Sequence, residues 1–128
     1  MKNRAVLDAS ALLALLNQEP GGEAVENVLP GALISAVNFS EVVAKLVEGG
    51  VPEADARIVL EEIGLEIYPF DTEQAFRTGA LRLRTRQLGL SLGDRACLAL
   101  GDLLHLPVLT ADTSWKELKV GVEVRMIR

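Results

Sequence analysis

Aromatic side chains are scarce in this chain: three Phe, one Trp and one Tyr, 4% of 128 residues. Hydrophobic residues nevertheless make up 49%, so the interior has to be built from Leu, Val, Ile and Ala, a composition typical of parallel sheets covered by helices. Cys97 is the one cysteine, which excludes an internal disulfide and any multi-cysteine metal site and makes the cytoplasm the expected compartment. The charged start, Met1 to Arg4, runs into an apolar stretch that stops at Asp8. It reads as neither a signal peptide nor a membrane span, and a soluble protein is expected. An excess of positive charge is missing too. A net charge of −5 and a pI near 4.9 argue against holding nucleic acid by general electrostatic attraction. There is no repeat, linker or low-complexity segment, and the length fits a single domain over residues 1–128 that buries roughly two-thirds of the surface of its unfolded chain.

Charge is present in blocks. From Glu48 to Glu73 eight acids stand against one base, Arg57, whereas from Arg77 to Arg95 five arginines stand against Asp94 alone. Between these blocks the pattern predicts strands alternating with helices. "RAVLD" reads as a strand turning straight into the helix "ASALLALLN", with Asp8 or Ser10 near the helix start, and "EAVENVL" as a short helix. "ALISAV" is a second strand, followed by a helix "SEVVAKLVEGG" capped by Asn38 or Ser40, with Glu41 in its first turn. Pro52 opens a helix to about Ile63, and "LEIYPF" is the next strand. A long helix runs from Asp71 or Thr72 to about Gln87. The helix "DRACLALGDLLH", the strand "VLT", a short helix around "SWKEL" and a last strand "VEVRMI" complete the chain. Such alternation means an α/β fold, a parallel sheet with helices on both faces, in which ligands collect at the carboxyl ends of the strands.

Four acids hold comparable places in this scheme: Asp8 and Asp112 directly after strands, Glu41 and Asp94 at helix starts. Each taken alone is explained as a helix cap or as an acid favoured by the helix dipole. The fold brings at least Asp8 and Asp112 to one rim, and neighbouring helix starts can supply the others. Clustered carboxylates repel, and unless a cation compensates, one or more takes up a proton. A hard divalent cation with oxygen ligands, Mg²⁺ or Mn²⁺, resolves the conflict. Such an ion suits hydrolysis of a phosphodiester, since it polarises a phosphoryl oxygen and activates water. Without these four acids the net charge is −1, so the rest of the surface does not repel a nucleic acid strongly.

"VLDASALLALL", "SAVNFSEVVAKL", "LSLGDRACLALG" and "LPVLTADTSW", in this order and at these separations, resemble the PIN-domain ribonucleases, most closely the VapC-type toxins of bacterial toxin–antitoxin pairs. The resemblance covers almost the whole chain and implies a three-layer α/β/α fold with a mostly parallel central sheet. It implies a magnesium-dependent endoribonuclease, Mn²⁺ substituting, in which Asp8, Glu41, Asp94 and Asp112 form the catalytic metal cluster. Ser10, Asn38 and Thr110 would be the polar residues supporting them. It also implies a homodimer and a cognate antitoxin that covers or enters the acidic cleft. Ala9 departs from the Thr that many relatives carry there, while the adjacent Asp8 and Ser10 remain.

Arg82, Arg86 and Arg95 are candidate RNA contacts, against the ordinary reading of solvated surface charge or partners for nearby acids. Arg82 and Arg86 would share one face of the long helix, and Arg77 and Arg84 another. Trp115 reads as packing rather than as a base-stacking platform, Cys97 as core, and His105 as a helix-end residue with no catalytic role. A phosphoacceptor receiver domain is disfavoured, since neither two adjacent acids after the first strand nor a late Lys is present. A haloacid-dehalogenase-type phosphatase would need an acid where Ser10 stands, and no glycine-rich phosphate loop occurs. The alternative from another class is a non-catalytic PIN-fold module that binds RNA or protein. Retention of all four acids argues against it.

Overall fold

Each apolar run ends where a short polar side chain can open a helix, and strands alternate with helices accordingly. The computed structural model describes residues 4–128; residues 1–3, in the charged start, lie outside the described residues. β1 (Ala5–Leu7) leads into α1 (Ala9–Leu16), followed by α2 (Gly22–Val28). β2 (Ala32–Ser35) leads into α3 (Ala36–Glu48), and α4 (Glu53–Ile63) precedes β3 (Glu66–Tyr68). Then come α5 (Thr72–Ala80), α6 (Arg82–Thr85) and α7 (Leu92–Leu104), β4 (Val108–Thr110), a 3₁₀ turn (Thr113–Glu117) and β5 (Val124–Met126).

The strands form one sheet in the order β3-β2-β1-β4-β5, and every neighbouring pair is parallel. This is the expected α/β/α arrangement. Side chains alternate across β1, so that Ala5 and Leu7 join a cluster with α1 to α4 on one face, while Val6 joins α7 and Trp115 on the other. Chain order reverses at β1, which has β2 on one side and β4 on the other. In a doubly wound sheet that is where a crevice opens at the carboxyl ends.

Three local expectations are corrected. β2 stops at Ser35 instead of running to Val37, because the Ser35 hydroxyl accepts the Val37 N–H at 3.2 Å and starts α3 there. Asn38 and Ser40 are therefore inside the helix rather than caps, and Glu41 lies in its second turn rather than its first. The helix expected from Asp71 to Gln87 is broken. After α5 the chain passes through buried Leu81 into the single turn of α6 and a 3₁₀ turn over Arg86–Leu88. The Thr85 hydroxyl donates to the Leu81 carbonyl at 2.9 Å, and such back-bonding favours a bend. The arginines consequently do not line the two faces that a continuous helix would have given them.

Candidate active site

Asp8 is the first residue past β1 and caps α1. Its Oδ1 accepts the Ala11 N–H at 2.8 Å and the Ser10 hydroxyl at 2.7 Å, and its Oδ2 accepts the Thr110 hydroxyl at 2.5 Å. Ser10 and Thr110 are fixed in turn: the Ser10 Oγ accepts the Ala111 N–H at 2.9 Å, and the Thr110 Oγ1 accepts the Asp112 N–H at 3.0 Å. Asp8 as a residue is 4% exposed. Burial pushes its pKa up to about 6, against the pull of the hydrogen bonds from Thr110, Ala11 and Ser10; the charge of Asp94 raises it further.

Glu41 reaches the same rim from α3. Burial raises its pKa, a hydrogen bond from Asn38 lowers it, and Asp94 again raises it. The Asn38 amide joins two helices, donating at 3.2 Å to Glu41 Oε1 and at 3.0 Å to the Gly93 carbonyl on α7. Its own Oδ1 is buried without a partner. Gly93 has to be a glycine for this approach, because a Cβ there would lie 2.6 Å from Glu41 Oε1. Asp94 follows it in the first turn of α7, in a capping box: Oδ2 accepts the Ser91 N–H at 3.0 Å, and Ser91 Oγ accepts the Asp94 N–H at 3.1 Å.

Buried Cys97, one turn further along α7, has its thiol pKa raised by burial and then by Asp8, Asp94 and Glu41 together. Glu41 lies against Gly93 beside Asp94, while Asp8 stands at the end of β1, the strand against which α7 packs. Asp112 stands apart. Its backbone is tied to Asp8 through Thr110, but its Oδ1 accepts the Ser114 N–H at 3.0 Å and the Ser114 hydroxyl at 2.7 Å, capping the 3₁₀ turn. None of the four acids takes part in an ion pair among the described residues.

A resident metal can be weighed against these observations. The donors are all oxygen, as Mg²⁺ prefers, and Asp8 and Glu41 carry a repulsion from Asp94 that no cation among the described residues relieves. Asp94, Asp112 and Glu41 are held by Ser91, Ser114 and Asn38, and among the described residues no three His, Cys, Asp or Glu side chains stand close enough to hold one ion. The residues thus fit a hard ion bound through one or two carboxylates and its own water shell, the usual habit of Mg²⁺, and do not form a ready-made cage.

The other candidates separate. Arg95 turns back to donate to the Thr78 carbonyl at 3.0 Å. Arg77 pairs with Glu73 at 3.0 Å and Asp102 at 3.3 Å. Arg82 and Arg86 are exposed and in no ion pair among the described residues. Trp115 and Cys97 are wholly buried, as packing predicts. Two contributors escaped the sequence reading, Gly93 and Ser91. For Ser91 a signal existed, a serine three residues before an acid at a helix start.

A protein-family model described as PIN domain matches residues 5–121. Among solved structures, a toxin–antitoxin complex from Klebsiella pneumoniae is similar at a TM-score of 0.77 and 24% identity, over 97% of this chain and 98% of that one. DNA-bound VapBC from Salmonella typhimurium is similar at 0.76 and 19%, over 100% of both chains. VapBC2 from Rickettsia felis, bound to a DNA fragment from its promoter, is similar at 0.76 and 15%, over 96% and 98%. At such identities the likeness speaks for the fold. No curated protein matches the chain.

Proposed function

Because the chain belongs to the PIN-domain family, we propose that it is a VapC-type toxin, a Mg²⁺-dependent endoribonuclease that hydrolyses RNA phosphodiester bonds. One arrangement carries the reading: Asp8 is buried at the carboxyl end of β1 with both oxygens held by Ser10, Ala11 and Thr110, Asn38 holds Glu41 against the turn of α7 that carries Asp94, and none of the three is in an ion pair among the described residues. Of Asp8, Glu41, Asp94 and Asp112, one or two would hold the ion directly and the others would meet its water shell. When bound, it supplies a charge that polarises a phosphoryl oxygen and activates water.

The chain's own residues do the rest. Ser10, Thr110 and the Ala11 N–H fix both oxygens of Asp8, so that it meets a ligand without reorganising. With a pKa of about 6, Asp8 is ionised at neutral pH and loses that charge in mild acid. Asn38 holds Glu41 against α7. Arg82 and Arg86, exposed beyond α5, draw the phosphates of a single strand toward the Asp94 turn.

In this reading the protein is cytoplasmic, pairs as a homodimer and is held inactive by a cognate antitoxin. The similar folds solved as VapBC and toxin–antitoxin complexes support the antitoxin. Phe76 and Leu83, 73% and 74% exposed, support an assembly that covers them. No helix among the described residues is long and apolar enough to cross a membrane.

The competing reading, a non-catalytic binding module, draws on the caps that occupy Asp94 and Asp112. Cleavage of an RNA pool with Mg²⁺ or with chelator, by wild type and by Asp94→Asn, separates the two. We expect metal-dependent cleavage that Asp94→Asn lowers by more than about 100-fold, beyond the usual effect of residues that only support a ligand. Growth arrest on expression without antitoxin should follow the same pattern. RNA binding without cleavage, and equal tolerance of both proteins in cells, would leave the binding module.

A further inference from the structure

α5 and α7 pack side by side next to the acidic rim, and their seam holds polar atoms that helix packing alone does not require. Gln74 and Thr78, four residues apart on α5, are each 1% exposed, so their side chains share its buried face. Gln74 Nε2 donates to the Pro69 carbonyl at 3.0 Å, while Gln74 Oε1 and Thr78 Oγ1 are buried without partners. Arg95 reaches across from α7. Its Nη1 donates to the Thr78 carbonyl in the last turn of α5, and its Nε is buried without a partner. A cation at that position satisfies a carbonyl left over at the helix end and favours the helix dipole. The unpaired donor on α7 and the unpaired acceptors on α5 are complementary in kind and belong to the two helices that the bond from Arg95 to the Thr78 carbonyl joins. Arg95 is in no ion pair among the described residues.

We propose that Arg95 is a positioning residue, which through Thr78 and Gln74 locks the first turn of α7 onto α5 and thereby sets where Asp94 and Gly93 meet Asp8 and Glu41. The capping box with Ser91 shapes that turn locally; Arg95 places it relative to the rest of the fold. This rests on the metal-binding reading above. It gives Arg95 a role distinct from that of Arg82 and Arg86, which remain on the surface.

The test measures Mn²⁺ affinity by electron paramagnetic resonance, without RNA, for wild type, Arg95→Met, Arg95→Lys, Gln74→Met and the double variant Arg95→Met/Gln74→Met. Binding of a single-stranded RNA in chelator is followed alongside as a function of salt. Arg95→Met should weaken Mn²⁺ binding by about tenfold or more, the range seen when residues supporting a metal ligand are lost. Arg95→Lys should recover part of this, since an ammonium can reach the Thr78 carbonyl but lacks the Nε donor. Gln74→Met should weaken binding in the wild-type background and add nothing to Arg95→Met, as members of one network do. If Arg95→Met fails to fold, Arg95→Lys and Gln74→Met carry the test.

Mn²⁺ affinity unchanged within about twofold in the folded variants overturns the proposal. So does a salt slope reduced by about 0.7 in Arg95→Met, which would make Arg95 a phosphate contact. Should wild type show no Mn²⁺ binding that Asp8→Asn removes, the metal reading falls and this proposal with it. Binding that Asp8→Asn removes and Arg95 does not affect overturns the proposal alone.

Discussion

Without metal, Asp8 should destabilise the protein that contains it. Its pKa is raised from 3.8 to about 6, so the folded state holds this proton more tightly than the unfolded chain does. The stability tied to the protonated form is fully present below about pH 3.8 and is lost as pH rises through 6. A difference of about 2 pKa units at 1.36 kcal/mol each amounts to about 3 kcal/mol at neutral pH. Asp8→Asn removes that penalty. The amide keeps an oxygen for the Ala11 N–H and the Ser10 hydroxyl, and it presents N–H to Thr110 Oγ1, whose second lone pair can accept it. Allowing about 1 kcal/mol for weaker hydrogen bonds, the variant in chelator at pH 7.5 should be the more stable by about 2 kcal/mol. In a domain of this size that is a rise of about 5–10 °C in Tm.

Urea unfolding of both proteins in chelator from pH 4.5 to 8 provides the assay. The gap should open between pH 4.5 and 6.5 and stay flat above. Millimolar Mn²⁺ should reverse the order, because metal at about a hundred times its Kd stabilises wild type by about 2.7 kcal/mol and leaves the variant unchanged. Parallel pH curves, or a wild type that is the more stable in chelator at pH 7.5, would refute the account of Asp8 as a buried, uncompensated carboxylate.

Gly93→Ala should change stability by less than about 1 kcal/mol, because the atoms in the way are the far end of the flexible Glu41 side chain, which can turn off its Asn38 hydrogen bond, yet it should lower both the Mn²⁺-induced Tm shift and RNA cleavage; a full Mn²⁺ response would show that the α3–α7 approach does not matter. Trp115→Ala, at a wholly buried site in the cluster around α7, should cost about 3–5 kcal/mol in urea unfolding, and a loss under about 1 kcal/mol would count against that packing. Arg82→Gln together with Arg86→Gln should lower the salt slope of single-stranded RNA binding by about 1.4, two phosphates' worth, with the Mn²⁺-induced Tm shift intact. An unchanged slope would leave both arginines as ordinary surface charge.

Much of the fold and half of the site follow from local chain chemistry. An apolar run that stops at an acid, set in a chain where strands alternate with helices, places that acid just past a strand, so Asp8 and Asp112 reach the carboxyl rim by position alone. The alternation of strands and helices, and the aliphatic composition, were sufficient for a parallel sheet covered on both faces. What opposes each residue is decided elsewhere. Periodicity marks which face of a helix is buried but not what lies against it. Asn38 lies inside α3 because Ser35 opens the helix, and only the packed fold sets a carbonyl 55 residues away against its amide; Glu41 belongs to the site only because Gly93 lets α3 touch α7. The break at Leu81 is a tertiary decision of the same kind: burying Leu81 and bonding Thr85 to its carbonyl outweigh a continuous helix, and so the arginines are dispersed. The burial that pushes Asp8 up to about 6 and the turn of Arg95 toward Thr78 exist only once distant segments have packed, because desolvation and cross-helix hydrogen bonds depend on neighbours that the local sequence does not contain.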